Sequence, residues 1–95
     1  MTDLQAVVDH ISKEITARTP GGTRMLTKSH TIFIERIKEQ RRTCSIVIGF
    51  YPHHASVVNQ SYDASPNIYQ DFSFGGPEFP NNVIEATMHI IESDK

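Results

Sequence analysis

The chain has 95 residues, of which 38% are hydrophobic and 21% charged, one cysteine and a formal net charge of −2 at pH 7. This length predicts a single domain, residues 1–95, and the hydrophobic content excludes a disordered chain. The single Cys44 excludes an intrachain disulfide, and the longest apolar run, Ile46–Tyr51, is too short to cross a bilayer. The acidic, helix-like first twenty residues predict no signal peptide, so we expect a cytoplasmic protein, in the host-cell cytoplasm if viral.

The first predicted element is an amphipathic helix. Thr2 with Gln5 fits a capping box, and the segment Thr19–Gly22 contains the proline and glycines that end a helix. Apolar residues recur at helical spacing and predict one buried stripe. These residues are Leu4, Val7, Val8, Ile11 and Ile15.

The middle of the chain predicts antiparallel strands. β-branched and aromatic residues alternate with polar ones in several short segments bounded by turn residues. The predicted strands are Thr31–Lys38, Thr43–Tyr51, His53–Tyr62 and Ile68–Phe74. The all-polar segment Lys38–Arg42 predicts a hairpin loop, and the sequence leaves open whether Met25 and Leu26 begin a further strand. Cys44 lies in an apolar alternation and is predicted to be a core residue.

The last predicted element is a second helix, which begins near Asn81 or Asn82, with Asn82 as N-cap and Glu85 in capping-box position. The complete pattern predicts an α+β fold: an N-terminal helix, a three- to four-stranded antiparallel meander sheet and a C-terminal helix. Short connections favour the meander, and both helices are expected on one sheet face.

Charge is unevenly distributed along the chain. Residues 24–42 contain six basic and two acidic residues, and residues 43–94 contain six acidic residues and no Lys or Arg. We therefore expect a non-enzymatic binding protein of inhibitor, immunity or adaptor type, bacterial or phage in origin, which docks on an acidic protein surface. The expected contact residues are Arg36, Lys38, Gln40, Arg41 and Arg42. The competing interpretation is a solvated loop whose charges protect a strand edge from aggregation.

A homodimer is the second expectation. If both helices cover one face of the sheet, then Val47 and Tyr51, with Phe33 or Tyr69, lie on the other face. An uncovered apolar face favours self-association or a ligand groove.

A small anionic or nucleotide-like ligand, bound by a homo-oligomer, is the alternative function. Backbone N–H groups of a glycine turn can cradle a phosphate, although a plain turn explains the same residues. The residues of this alternative site are Gly21, Gly22, Thr23, Arg24, Tyr51, His53 and His54.

No catalytic residue, metal site or cofactor is predicted. His53 and His54 are adjacent on a predicted strand and point to opposite faces, so they do not readily bind one ion together. The chain contains no metal-binding or nucleophile motif. Nucleic-acid binding ranks third, because the isoelectric point is about 6.2 and no aromatic residues lie among the basic ones.

Overall fold

A computed structural model of the protein describes residues 3–19, 21–60 and 68–93. These residues form α1 (Leu4–Arg18), β1 (Thr23–Lys28), β2 (Thr31–Lys38), β3 (Arg41–Phe50), β4 (His54–Asn59), β5 (Ile68–Ser73) and α2 (Asn81–Ser93). The strands form one antiparallel sheet in the order β1-β2-β3-β4-β5. The predicted α+β class and the helix–meander–helix order are confirmed.

The predicted strand number was wrong, because the sheet has five strands rather than three or four. The additional strand is β1, in the segment around Met25 that the sequence left open. Four of its six residues are exposed, so it lacks the apolar alternation that marks the inner strands. β4 ends at Asn59, before the predicted end at Tyr62, which lies outside the described residues.

One core lies between the sheet and the two helices. Alternate residues of the inner strands are buried, and they pack with the inward stripe of each helix. The residues of this core that are at most 2% exposed are Val8, Ile11, Ile15, Ile32, Ile34, Cys44, Ile46, Ile48, Ala55, Val57, Val83, Ile84 and Ile91. Each large aliphatic side chain among them contributes roughly 1.5–3 kcal/mol by leaving water. The prediction that Cys44 is a core residue is confirmed.

Side chains form hydrogen bonds at both ends of α1. Thr2, the predicted N-cap, lies outside the described residues, and Asp3 is the N-cap instead, with its Oδ1 accepting a bond of 3.1 Å from the Gln5 amide. At the other end, Nη1 of Arg18 donates to Oε1 of Glu85 on α2 at 2.7 Å. This hydrogen bond raises the pKa of Arg18 above its ordinary value. Neither α1 nor α2 is long and apolar enough to cross a membrane.

The turn before β1 depends on Gly22. Its φ is +87°, and a Cβ built there would lie 2.9 Å from the carbonyl oxygen of Ile37. The Gly22 carbonyl in turn accepts a bond of 2.8 Å from the Ile37 amide, beside an irregularity in the register between Arg36 and Ile37. A side chain at this position would therefore separate β1 from β2.

We expect Gly22→Ala to lower the free energy of unfolding by about 1–3 kcal/mol, because alanine meets both the unfavourable φ and the Ile37 carbonyl. Urea denaturation measures this loss. The matched control is Gly21→Ala, which places its methyl group in open space and should change stability by less than about 0.5 kcal/mol. Equal losses in the two variants would contradict the assignment of the turn.

Candidate functional site

The β2–β3 hairpin has a tighter turn than the sequence predicted. The predicted loop Lys38–Arg42 reduces to the two residues Glu39 and Gln40, with Lys38 ending β2 and Arg41 beginning β3. Glu39 has φ +51° and Gln40 has φ +65°. Two consecutive positive φ values match the right-handed twist of the strands, although Gly and Asn adopt them at lower cost than Glu and Gln.

Basic side chains surround this turn and point to both faces of the sheet. Arg42 lies on the face away from the helices, where its Nη1 is 3.9 Å from Oε2 of Glu35. Arg41, opposite Lys38 in the register, alternates to the other face. The Arg42 side chain is 56% exposed, so this ion pair contributes little stability. We call Lys38, Gln40, Arg41 and Arg42 the basic hairpin.

Arg36 does not belong to this surface, because it is only 8% exposed. Its Nη1 donates to the Gly21 carbonyl at 3.2 Å and to Oγ1 of Thr23 at 2.9 Å. Arg36 therefore connects β2 to the turn before β1. The sequence contains a signal for this placement, since Arg36 continues the period-two spacing of Ile32 and Ile34 on the buried face.

The residues of the alternative ligand site are divided between two ends of the sheet. Gly21–Arg24 lie at the end of the sheet where β1 begins. Tyr51, His53 and His54 lie around the β3–β4 connection, which is at the opposite end of the sheet, where β1 ends. A strand of the length of β1 spans about 17 Å. Tyr51 stacks on His54, with ring centroids 4.8 Å apart and an interplanar angle of 16°. The structure does not bring these seven residues into one pocket.

The histidines, the cysteine and the acidic residues were candidates for a metal or nucleophile site. In the part of the chain that the structure describes, no group of three His, Cys, Asp or Glu residues could hold a metal ion. The thiol of Cys44 is buried in the core. A shallow surface depression runs along α1, and residues of that helix alone line it, so it lacks the convergent polar groups of a binding pocket.

The sheet face opposite the helices, here called the open face, carries an apolar row across the strands. The register pairs Leu26 with Phe33, Phe33 with Val47, and Val47 with Val58. Leu26 is 59% exposed and Phe33 is 38% exposed. Phe33 and Val47 were expected on this face from the sequence, whereas Leu26 and Val58 were not, because only the register aligns them with the row. The side chain of Tyr69, paired with Val58, lies outside the described part of the chain.

Comparisons with models of protein families, with curated protein sequences and with solved structures found no match. Two surfaces of this chain are candidates for binding a partner. One is the basic hairpin, and the other is the open face.

We expect Arg36→Gln to destabilise the protein by about 1–3 kcal/mol, because the hydrogen bonds from the buried guanidinium to Gly21 and Thr23 are lost. The matched control is Arg41→Gln, which removes an exposed guanidinium from the same hairpin and should cost less than about 0.5 kcal/mol. Thermal unfolding of the two variants measures the difference. Equal stability would show that Arg36 does not hold the turn.

We expect the double substitution Glu39→Asn and Gln40→Gly to stabilise the protein by about 1 kcal/mol, because these residues accept positive φ at lower cost. Denaturant unfolding provides the measurement. The control is Glu39→Gln alone, which removes the charge but leaves a residue that adopts a positive φ at the same cost. A gain from the control equal to that of the double variant would attribute the effect to charge instead.

Proposed function

We propose that this protein is a non-enzymatic binding protein, of inhibitor, immunity or adaptor type, whose basic hairpin docks on an acidic surface of a protein partner. The observation that carries the proposal is the exposure of Gln40, Arg41 and Arg42 at the tip of a two-residue turn. Guanidinium groups form planar, bidentate contacts with carboxylates, so such a tip suits an acidic partner.

The rigidity of the turn supports this proposal. A two-residue turn leaves little freedom to the backbone between β2 and β3, and the buried Arg36 fixes the neighbouring strand end through Gly21 and Thr23. A contact surface that is already ordered loses less entropy when it binds. The basic hairpin is therefore better suited to recognition than a long mobile loop of the same composition.

The directions of the basic side chains also favour a protein partner. Arg41 and Arg42 lie on opposite faces of the hairpin, so the tip can enter a concave acidic surface and contact both of its walls. The whole chain has a formal net charge of −2, so attraction to an acidic partner comes from the local charge of the tip and not from the overall charge of the molecule. Electrostatic attraction of this kind accelerates encounter and orients the partner.

Charge reversal at the tip tests the proposal. We expect Arg41→Glu with Arg42→Glu to reduce partner capture at least about tenfold, because attraction to acidic groups becomes repulsion. A photo-crosslinking residue at position 40 of the otherwise unchanged protein identifies the captured partner in cells, and titration of that purified partner measures the affinity of each variant.

The control is Lys13→Glu, which reverses an exposed charge on α1, remote from the hairpin in the chain, and should leave capture unchanged. Undiminished capture by the Arg41/Arg42 double variant would remove the hairpin from the contact surface. A captured species that is nucleic acid, with affinity falling steeply as salt rises, would replace the acidic-protein proposal.

A further inference from the structure

The open face presents three large hydrophobic side chains to solvent. Leu26 is 59% exposed, Phe33 is 38% exposed and Tyr51 is 46% exposed. The Tyr51 ring folds back over the face, with Cε2 and Oη 3.4 Å from the position that a Cβ on Gly49 would occupy. Together with Val47 and Val58 they form a continuous apolar strip, and exposed strips of this kind mark interaction sites.

We propose that a second copy of this chain covers the open face, forming a symmetric dimer whose two-fold axis runs parallel to β3. This inference goes beyond the proposed function, because it uses a surface separate from the basic hairpin. Its support comes from the arrangement of charges at the two edges of the face and from the area that the sheet offers.

Two opposite charges lie in one row that runs across the sheet beside the apolar strip. The register connects Lys28 on β1 through Thr31, Gly49 and Ser56 to Asp71 on β5. The carboxylate of Asp71 accepts a hydrogen bond of 2.5 Å from the Ser56 hydroxyl, which orients it on this face. Lys28 and Asp71 are both exposed and lie on opposite edges of the sheet.

A two-fold axis parallel to β3 brings these charges together. The rotation places β1 of one copy opposite β5 of the other and keeps each row facing its equivalent. Lys28 then faces the partner's Asp71, and the symmetry repeats this contact at the other edge. The central residue Val47 faces the partner's Val47, and Phe33 faces the partner's Val58. The apolar strips therefore coincide.

The other face-to-face arrangement is electrostatically unfavourable. A two-fold axis running across the strands would place β1 opposite the β1 strand of the second copy, in reversed direction. Arg24, which lies on the open face at the other end of β1, would then face the partner's Lys28, and like charges facing each other repel. The charges at the edges of the sheet therefore favour the axis parallel to β3, in which Arg42 faces the partner's Arg42 while each keeps a Glu35 carboxylate 3.9 Å away.

The available area fits a small homodimer. Five strands about 4.8 Å apart, each counted over about six residues of length with a rise of 3.3 Å, give roughly 500 Å² per copy and on the order of 1,000 Å² for the pair. This is at the lower end for specific interfaces, so we expect a dimer that dissociates on dilution. Sheets packed in this way lie about 10 Å apart with nearly aligned strands.

This dimer also places both basic hairpins at the same end of the assembly. Rotation about an axis parallel to β3 preserves the direction of every strand, so the two tips point the same way, beyond the apolar strip. Each Arg42 keeps Glu35 nearby, which reduces repulsion between the tips. A dimer would thus present two copies of the hairpin to one partner and increase its avidity.

Sedimentation velocity of the full chain across a concentration series tests the inference. The expected result is a monomer–dimer equilibrium in the unchanged protein and at least a tenfold loss of dimer affinity in Phe33→Glu. The control Ala6→Glu introduces the same charge at an exposed position of α1 and should behave as the unchanged protein. A monomer at every concentration up to millimolar, or a dimer unaffected by Phe33→Glu, would overturn the proposal.

A charge swap tests the orientation of the axis. Lys28→Asp should weaken the dimer about tenfold, because each copy then places a carboxylate opposite the partner's Asp71. Adding Asp71→Lys should restore affinity to within about threefold of the unchanged protein. Circular dichroism confirms that each variant is folded, which matters because Asp71→Lys removes the bond from Ser56.

Strengthening of the dimer by Lys28→Asp would instead indicate the axis across the strands and overturn the assignment. If the variant with both substitutions is unfolded, Lys28→Asp alone tests the orientation of the axis. A weaker dimer supports the axis parallel to β3, and an unchanged dimer affinity contradicts it. Arg41→Glu alone, whose side chain lies on the face away from the dimer contact, should dimerise as the unchanged protein does. Failure of partner capture and failure of dimerisation are therefore separate results.

Discussion

The two helices cover one face of a five-stranded sheet, and this one-sided coverage assigns each strand residue to the core or to the open face. Adjacent strand residues point to opposite faces, so Ile32 and Ile34 enter the core while Phe33 between them remains partly exposed. The apolar strip on the open face is thus a consequence of the fold. Because proteins seldom leave several large apolar side chains together in water, the same constraint that builds the core creates a surface that favours a partner.

Arg36 shows how the buried face ends. The period-two spacing places this charged residue on the buried face of β2. There its guanidinium donates to the Gly21 carbonyl and the Thr23 hydroxyl. A buried charge without such acceptors would be costly. The glycine turn and Arg36 therefore depend on each other, and together they fix the edge strand β1, which has little apolar surface of its own. The turn residues Gly21, Gly22 and Thr23, considered as a phosphate cradle from the sequence, therefore serve to join β1 to β2.

Periodicity was sufficient to predict both helices, the strands β2 to β5 and the core position of Cys44, because burial on one side leaves a local pattern in the sequence. It could not identify β1, whose residues are mostly exposed, or the two-residue turn, because Glu39 and Gln40 are not the residues that positive φ normally selects. Nor could it align Leu26 with Val58, since their row depends on the register of four strands. Predicting the candidate surfaces requires the register between distant strands, whereas predicting the fold class does not.

The two candidate surfaces are physically compatible because they occupy different parts of one rigid sheet. The apolar strip crosses the middle of the strands, and the basic hairpin extends beyond it at one end. Covering the strip buries hydrophobic area without contacting the tips of the hairpins, so self-association and capture of an acidic partner need not compete. In a symmetric pair whose axis follows β3, the strand directions that bring Lys28 to the partner's Asp71 also place the two tips side by side. Dimerisation would then increase affinity for a partner with two acidic sites, which connects the apolar strip of the open face to the function proposed for the hairpin turn.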